Sequence, residues 1–274
     1  MTMDLIFITN DPLKGAVAQE AGVDRVMIDL EILGKLERQG GLDTVISKHT
    51  AADIVPMRRV LDRSQLLVRV NPVHPDSASE IETCVGARVD IVMLPMFTGR
   101  DEVARFLDLV AGRARTCLLL ETPQAFVRMD DILACPGIDE VHVGLNDLHL
   151  GMGLTFMFEL LSHGVVEQIG RAVTQRGITF GFGGVGRLSA GPLSARLILS
   201  EHVRLGSTQV LLSRDFQKVF DGTEAQARAA FKTEVAGIRG YLDELRCGPR
   251  ERLEENAREV RRVVDGIVQQ KRRA

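Results

Sequence analysis

The stretch Leu118–Gly153, LLLETPQAFVRMDDILACPGIDEVHVGLNDLHLGMG, decides how this chain folds. Two short apolar runs, Cys117–Leu120 and Val141–Val143, each lead to an acidic residue. Glu121 follows the first run directly, and Asp147 stands a few residues past the second. Between the runs, Phe126, Met129, Asp130 and Leu133 fall at helical spacing, and Cys135-Pro136-Gly137 makes a turn. The pattern reads strand, helix, strand. Parallel strands joined by such a crossover place both carboxylates on one rim. Two carboxylates on one rim suit a hard divalent cation, which takes oxygen ligands and keeps waters that a substrate can displace.

Working outward, eight apolar runs alternate with helical patterns: Leu5–Thr9, Arg25–Glu31, Leu66–Asn71, Ile91–Met96, Thr116–Glu121, Glu140–Leu145, Thr179–Gly183 and Gln209–Arg214. Eight βα units predict a (β/α)8 or TIM barrel over residues 1–220. The runs are apolar throughout, as strands covered on both faces should be. An open doubly wound sheet is the alternative, disfavoured by the count and by the lack of a Gly-rich turn after the first strand. Pro12 opens the first helix, and Thr50, Ser77 or Ser79, and Thr98 cap the next three. Residues 221–274 are more than one barrel helix needs. Thr223 to Gln226 forms a capping box opening a helix with Ala227, Phe231, Val235, Ile238, Leu242 and Leu245 on one face. Gly248-Pro249 ends it. A second helix carries the narrow stripe Leu253, Ala257, Val260, Val264, Ile267 and needs a partner surface, either its own barrel or a neighbouring subunit. A homo-oligomer built through these helices is expected.

Composition narrows the function classes. At 274 residues and 45% hydrophobic, the chain can bury a large core. A net charge of −3, no Trp and one Tyr give no footprint for nucleic acid or an anionic membrane. Cys84, Cys117, Cys135 and Cys247 lack metal spacing and read as reduced thiols of a cytoplasmic protein. The start, MTMDLIFITND, has neither a basic leader nor a spanning run.

Chemistry in such a barrel sits at the C-terminal ends of the strands. The polar residues there are Asp29 and Glu31, Arg69 and Asn71, Glu121 and Thr122, Asn146 and Asp147, and Arg214. Two carboxylates and an arginine facing one cavity suit a metal-chelated 2-oxo acid, with a divalent cation on its keto and carboxylate oxygens and Arg69 on a carboxylate or enolate oxygen. Thr122, Gly144, Asn146 and Arg214 complete the rim as candidates for binding substrate. The alternative for each charged group is a salt bridge at the barrel mouth.

Val-Arg-Val-Asn-Pro at 68–72, Met-Leu-Pro at 93–95, Glu-Thr at 121–122 and Gly-Leu-Asn-Asp-Leu at 144–148 resemble the HpcH/HpaI aldolase and citrate-lyase β-subunit family. The resemblance spans strands one to eight. It implies a TIM barrel, Mg²⁺ or Mn²⁺, and making or breaking a carbon–carbon bond beside a pyruvate-like or acyl-thioester carbanion. It also implies Glu121 and Asp147 as metal ligands and Arg69 as a substrate ligand. Substrates would be a 2-oxo acid and an aldehyde, or an acyl-CoA.

The chain departs from both branches of that family. The aldolase branch follows its strand-two Asp-x-Glu with a His, where this chain has Ile32 after Asp29-Leu30-Glu31. The CoA-lyase branch has an Asp there and Pro-Lys on strand four, where this chain has Pro95-Met96. Lys35 and Arg38 echo that branch's downstream Lys and Arg. The general base is therefore open: His49, in the loop after strand two, is one candidate and a metal-bound water another, while Glu31 at the rim is counted with Arg69 and His49 among the catalytic residues. His149 is a weaker candidate, His142 is expected to be a satisfied core residue, and His202 a surface or interhelix contact. Gly181 to Arg187 is glycine-rich, and Gly183 and Gly184 with Arg187 and Arg214 could bind an anion through backbone N–H groups; glycines there also serve tight packing. The readings are thus a metal-dependent 2-oxo acid lyase, a CoA-thioester lyase without a lid domain, or a non-catalytic anion-binding subunit.

Overall fold

All eight apolar runs form strands, and their ladder closes on itself. The computed structural model describes residues 2–34, 49–188 and 191–273. The strands are β1 (Asp4–Ile8), β2 (Arg25–Asp29), β3 (Gln65–Arg69), β4 (Ile91–Leu94), β5 (Arg115–Leu120), β6 (Glu140–Val143), β7 (Thr179–Val185) and β8 (Gln209–Leu212). Each pairs in parallel with the next, and β1 pairs with β8 through Asp4 opposite Gln209, giving a closed barrel in chain order. The open sheet is excluded. Side chains alternate between two cores, because successive Cβ atoms point to opposite faces. Ile6, Met27, Leu67, Ile91, Met93, Cys117 and Leu119 fill the interior. The alternate residues, such as Leu5, Val26, Leu66, Val92 and Leu118, pack outward under the helices.

The N-terminal end of the interior is closed by charge. Arg25 on β2 donates to Glu140 at 2.5 Å and to Asp4 at 2.6 Å, and Arg115 reaches Glu140 at 2.6 Å. Arg25 and Glu140 are fully buried, so each charge needs the other. This plug leaves the opposite end, where the strands finish, as the mouth.

Helix starts follow sequence chemistry with small shifts. Asp11 caps Pro12–Glu20, and Thr50 forms a capping box with Asp53. Asp76 rather than a serine precedes helix Ser77–Gly86, because the Ser77 hydroxyl instead accepts from the His74 amide. Gly99 precedes Arg100–Val110, with Thr98 one residue outside and held by Glu102. The expected helix between β5 and β6 is two short ones, Pro123–Val127 and Met129–Leu133. After β8 a 3-10 segment, Arg214–Asp221, leads to helices Glu224–Cys247 and Arg250–Arg273. The first packs on Pro12–Glu20 and Ala195–Arg204; the second lies on Glu159–Ser162 and Ala195–Arg204, burying Val260, Val264 and Val268. The C-terminal helices thus cover this chain's own barrel. No helix among the described residues is long and apolar enough to cross a membrane.

Two histidines depart from their expected settings. His202 is neither on the surface nor in a simple interhelix contact: it is fully buried and stacks on Phe182 of β7 at 3.7 Å. His142 is only half satisfied. Its Nε2–H donates to the Gly183 carbonyl at 3.1 Å, while Nδ1 has no hydrogen-bond partner. Burial pushes its imidazole down to about 4, and pushes His202 down as well.

A histidine whose folded pKa lies below its unfolded value binds its proton first in the unfolded chain. Its stabilising effect is therefore complete above the unfolded pKa of about 6.5 and is lost as pH falls towards the folded value. His142 alone is expected to cost about 2 kcal/mol between pH 7 and pH 5, from its shift to about 4. Denaturant midpoints at the two pH values, in the parent and in H142Q, check this. The pH-dependent loss should shrink by that amount in the variant.

Candidate active site

At the mouth, one mostly buried guanidinium gathers the acids that the strand ends supply. Arg69 is the last residue of β3 and Asp29 the last of β2, and the register places them side by side. Arg69 Nε and Nη2 each donate to Asp29 at 2.8 Å, a bidentate fork, and Nη1 lies 3.2 Å from Glu31. Burial works against the Arg69 charge, but Asp29, its hydrogen bonds and Glu31 hold the guanidinium firmly protonated. Asp29, Glu31 and Glu121 are 4%, 2% and 3% exposed, so their charges are settled by one another and not by bulk water.

Glu121 stands immediately after β5 and is gripped from two sides. Its Oε1 accepts from the Met96 amide at 3.2 Å. Met96 adopts φ 55°, a left-handed conformation rare for a side chain of this size, and this turn aims the amide at the carboxylate. On the other side lies Gly144, where a Cβ would fall 2.6 Å from Glu121 Oε2. Burial raises the Glu121 carboxyl well above the usual carboxylate range; Arg69 opposes this, and Glu31 and Asp147 add to it. Asp147 sits in the first turn of helix Leu145–Gly151, directly after β6. The two acids therefore open onto the same mouth, and Asp147 is near enough to bear on the charge of Glu121. Their hard oxygen donors fit a divalent cation completed by substrate and water oxygens. Among the described residues no group of three or more His, Cys, Asp or Glu side chains is arranged as a protein cage.

The other candidates divide. His49 lies at the end of β2, where its Nδ1 accepts from the Asp29 amide at 2.9 Å. In the neutral ring the proton is then on Nε2, so this geometry makes His49 a donor there rather than a base. Thr122 spends its hydroxyl on structure: it donates to Phe97 O at 2.7 Å and accepts from Ala125 N, capping Pro123–Val127. Asn146 is exposed on the helix after β6, and Arg214 is exposed beyond β8 in the 3-10 segment rather than on the strand. Gly183 and Gly184 belong to β7 itself, which runs to Val185, and not to a loop after it. Gly183 has φ 46°, and a Cβ there would fall 2.6 Å from Leu145 Cδ1, so close packing accounts for it. The His149 ring is turned onto the Asn146 carbonyl. Lys35 and Arg38 lie outside the described residues. Met96 escaped the sequence reading, because nothing in a Pro-Met pair signals a left-handed turn.

A closed parallel barrel with its acids and arginine at the strand C-termini belongs to the class of barrels that place chemistry at that face. The chain belongs to the HpcH/HpaI aldolase/citrate lyase family, whose model matches residues 9–163. Members of that family are aldolases and lyases. No curated protein sequence matches the chain. Solved structures share its fold. The HpcH/HpaI aldolase from Desulfitobacterium hafniense DCB-2 is 16% identical with a TM-score of 0.61, covering 87% of this chain and 93% of that one. An HpcH/HpaI aldolase/citrate lyase family protein from Burkholderia cenocepacia J2315 is 15% identical, TM-score 0.62, over 85% and 95%. The citrate synthase SbnG is 17% identical, TM-score 0.62, over 86% and 95%.

The tight approach of Gly144 to Glu121 sets a test of this geometry. G144A must push Glu121 off the Met96 amide or shift the chain after β6. A destabilisation of about 1–3 kcal/mol is expected from such overpacking, read by chemical denaturation. G151A, whose Cβ would meet only the edge of the Pro123 ring at 2.8 Å, provides a comparison away from the carboxylates.

Proposed function

We propose that this chain is a divalent-metal-dependent lyase that makes or breaks a carbon–carbon bond beside the carbonyl of a 2-oxo acid, with an aldehyde as the other partner. One observation carries the reading: Glu121 directly after β5 and Asp147 in the first turn after β6 stand near one another at the mouth, beside the Arg69 guanidinium. Glu121 and Asp147 would hold Mg²⁺ or Mn²⁺. The cation, when bound, would supply Lewis-acid stabilisation of the charge that builds on the substrate as the bond breaks.

The chain's own residues supply the rest. Arg69, fixed by its fork to Asp29, would orient a substrate carboxylate with the Nη N–H groups that Asp29 and Glu31 do not take. Glu31, 3.2 Å from Arg69, is assigned the proton transfer, since it is the buried carboxylate at the mouth that neither forks to Arg69 nor is given to the cation. His49 steadies the end of β2 by accepting the Asp29 amide at Nδ1. The buried walls exclude water from the acids and so strengthen each of these interactions.

With Mn²⁺ in heavy water, the protein is expected to exchange the methyl protons of pyruvate, followed by proton NMR. E121Q keeps the shape and removes the charge, and should slow exchange by at least about 100-fold. Exchange with acetyl-CoA alone would replace this reading with a CoA-thioester lyase. Mn²⁺ binding without exchange of either compound would favour an anion-binding barrel.

A further inference from the structure

Glu31 lies beyond the end of β2, where the strand ladder has stopped. Ile32 and Leu33, which follow it, are 55% and 43% exposed, so apolar burial does not hold this segment. Hydrogen bonds do. The Leu30 amide donates to Arg69 O at 2.8 Å and the Glu31 amide to Asp29 Oδ1 at 3.2 Å. The next two amides, of Ile32 and Leu33, both donate to Asn71 Oδ1, at 2.9 and 3.1 Å. Successive donors after β2 thus land on the two strand ends that hold the site.

Asn71 is itself locked. Its Nδ2 donates to Glu80 Oε1 at 2.7 Å, which fixes Oδ1 towards Ile32 and Leu33 and rules out the flipped amide. Its backbone N–H points at both Glu80 oxygens, at 3.3 and 3.2 Å. His74 Nδ1 accepts from the Asp76 amide, so its Nε2 carries the proton and donates to Glu80 Oε2 at 3.3 Å. Glu80 stands in the first turn of helix Ser77–Gly86, where the helix dipole favours a carboxylate.

We propose that Asn71 is a positioning residue: by holding the Ile32 and Leu33 amides it sets the chain direction past Glu31 and keeps that carboxylate on Arg69. It acts through Glu31 and touches no substrate. The inference rests on the assignment of Glu31 to proton transfer.

The test uses N71A, N71D and the double variant N71D/E80Q. N71D keeps an acceptor but sets it against the Glu80 charge, and E80Q then gives back a donor across the pair. In N71A the Ile32 and Leu33 amides should exchange with heavy water at least about ten-fold faster. The kcat for pyruvate proton exchange should fall by at least about ten-fold, with KM and Mn²⁺ affinity within about two-fold of the parent. N71D should be as impaired, and N71D/E80Q should recover to within about three-fold of the parent. Unchanged amide protection in N71A overturns the clamp. Faster amide exchange with unchanged kcat overturns the positioning role, as does a double variant no better than N71D. A parent inactive on pyruvate and acetyl-CoA sinks the proposed function instead, and amide exchange then still decides for or against the clamp.

Discussion

The site depends on a single, mostly buried guanidinium. Arg69 is paired with Asp29 and Glu31 and lies close enough to bear on Glu121, and all of these side chains are shielded from water. Removing one partner from such a buried pair typically costs about 3–5 kcal/mol, because the other charge is stranded. The strand ends of β2 and β3 are therefore held together by electrostatics as firmly as by their ladder. Three carboxylates, Asp29, Glu31 and Glu121, share this one cation among the described residues, which leaves the mouth rich in negative charge. Burial raises the Glu121 carboxyl, and Glu31 and Asp147 add to the effect.

The two ends of the barrel solve the same problem differently. At the N-terminal end, Arg25 and Arg115 meet Glu140 and Asp4, so charge is nearly balanced and the end is sealed. At the C-terminal end the balance is broken: one arginine faces several acids. A balanced cluster is a plug, and an unbalanced one needs a ligand. Left-handed turns at non-glycine residues occur at both ends, at Arg88 and Ala111 before β4 and β5 and at Met96 after β4, and the last of these brings its amide to Glu121. Strain of this kind persists only where surrounding packing imposes it.

The barrel was legible because its signal is repeated. Each of the eight runs is apolar on both faces, and each observed strand falls within a residue or two of its run. The acids at the ends of β5 and β6 were legible for the same reason, since position past a strand end is a matter of counting. Less legible were roles set by a partner far away in sequence. Thr122 looked like a rim hydroxyl until Phe97 O took its proton. His49 looked like a base until the Asp29 amide took its Nδ1. Gly183 looked like part of an anion loop until Leu145 occupied the space of its missing Cβ.

Sequence alone determined the eight-stranded closed barrel, the mouth at which its acids gather, and the two C-terminal helices with their break at Gly248-Pro249. These follow from periodicity, strand count and turn chemistry, all of which are local. Only the tertiary structure decided that Arg69 is forked to Asp29, that Met96 is bent to serve Glu121, that His202 is buried on Phe182, and that the last helix lies on this chain's own barrel. Those outcomes depend on which atoms meet across strands and helices. A hydrogen-bond partner or a missing Cβ has no signature in spacing, so it appears only when the chain is closed.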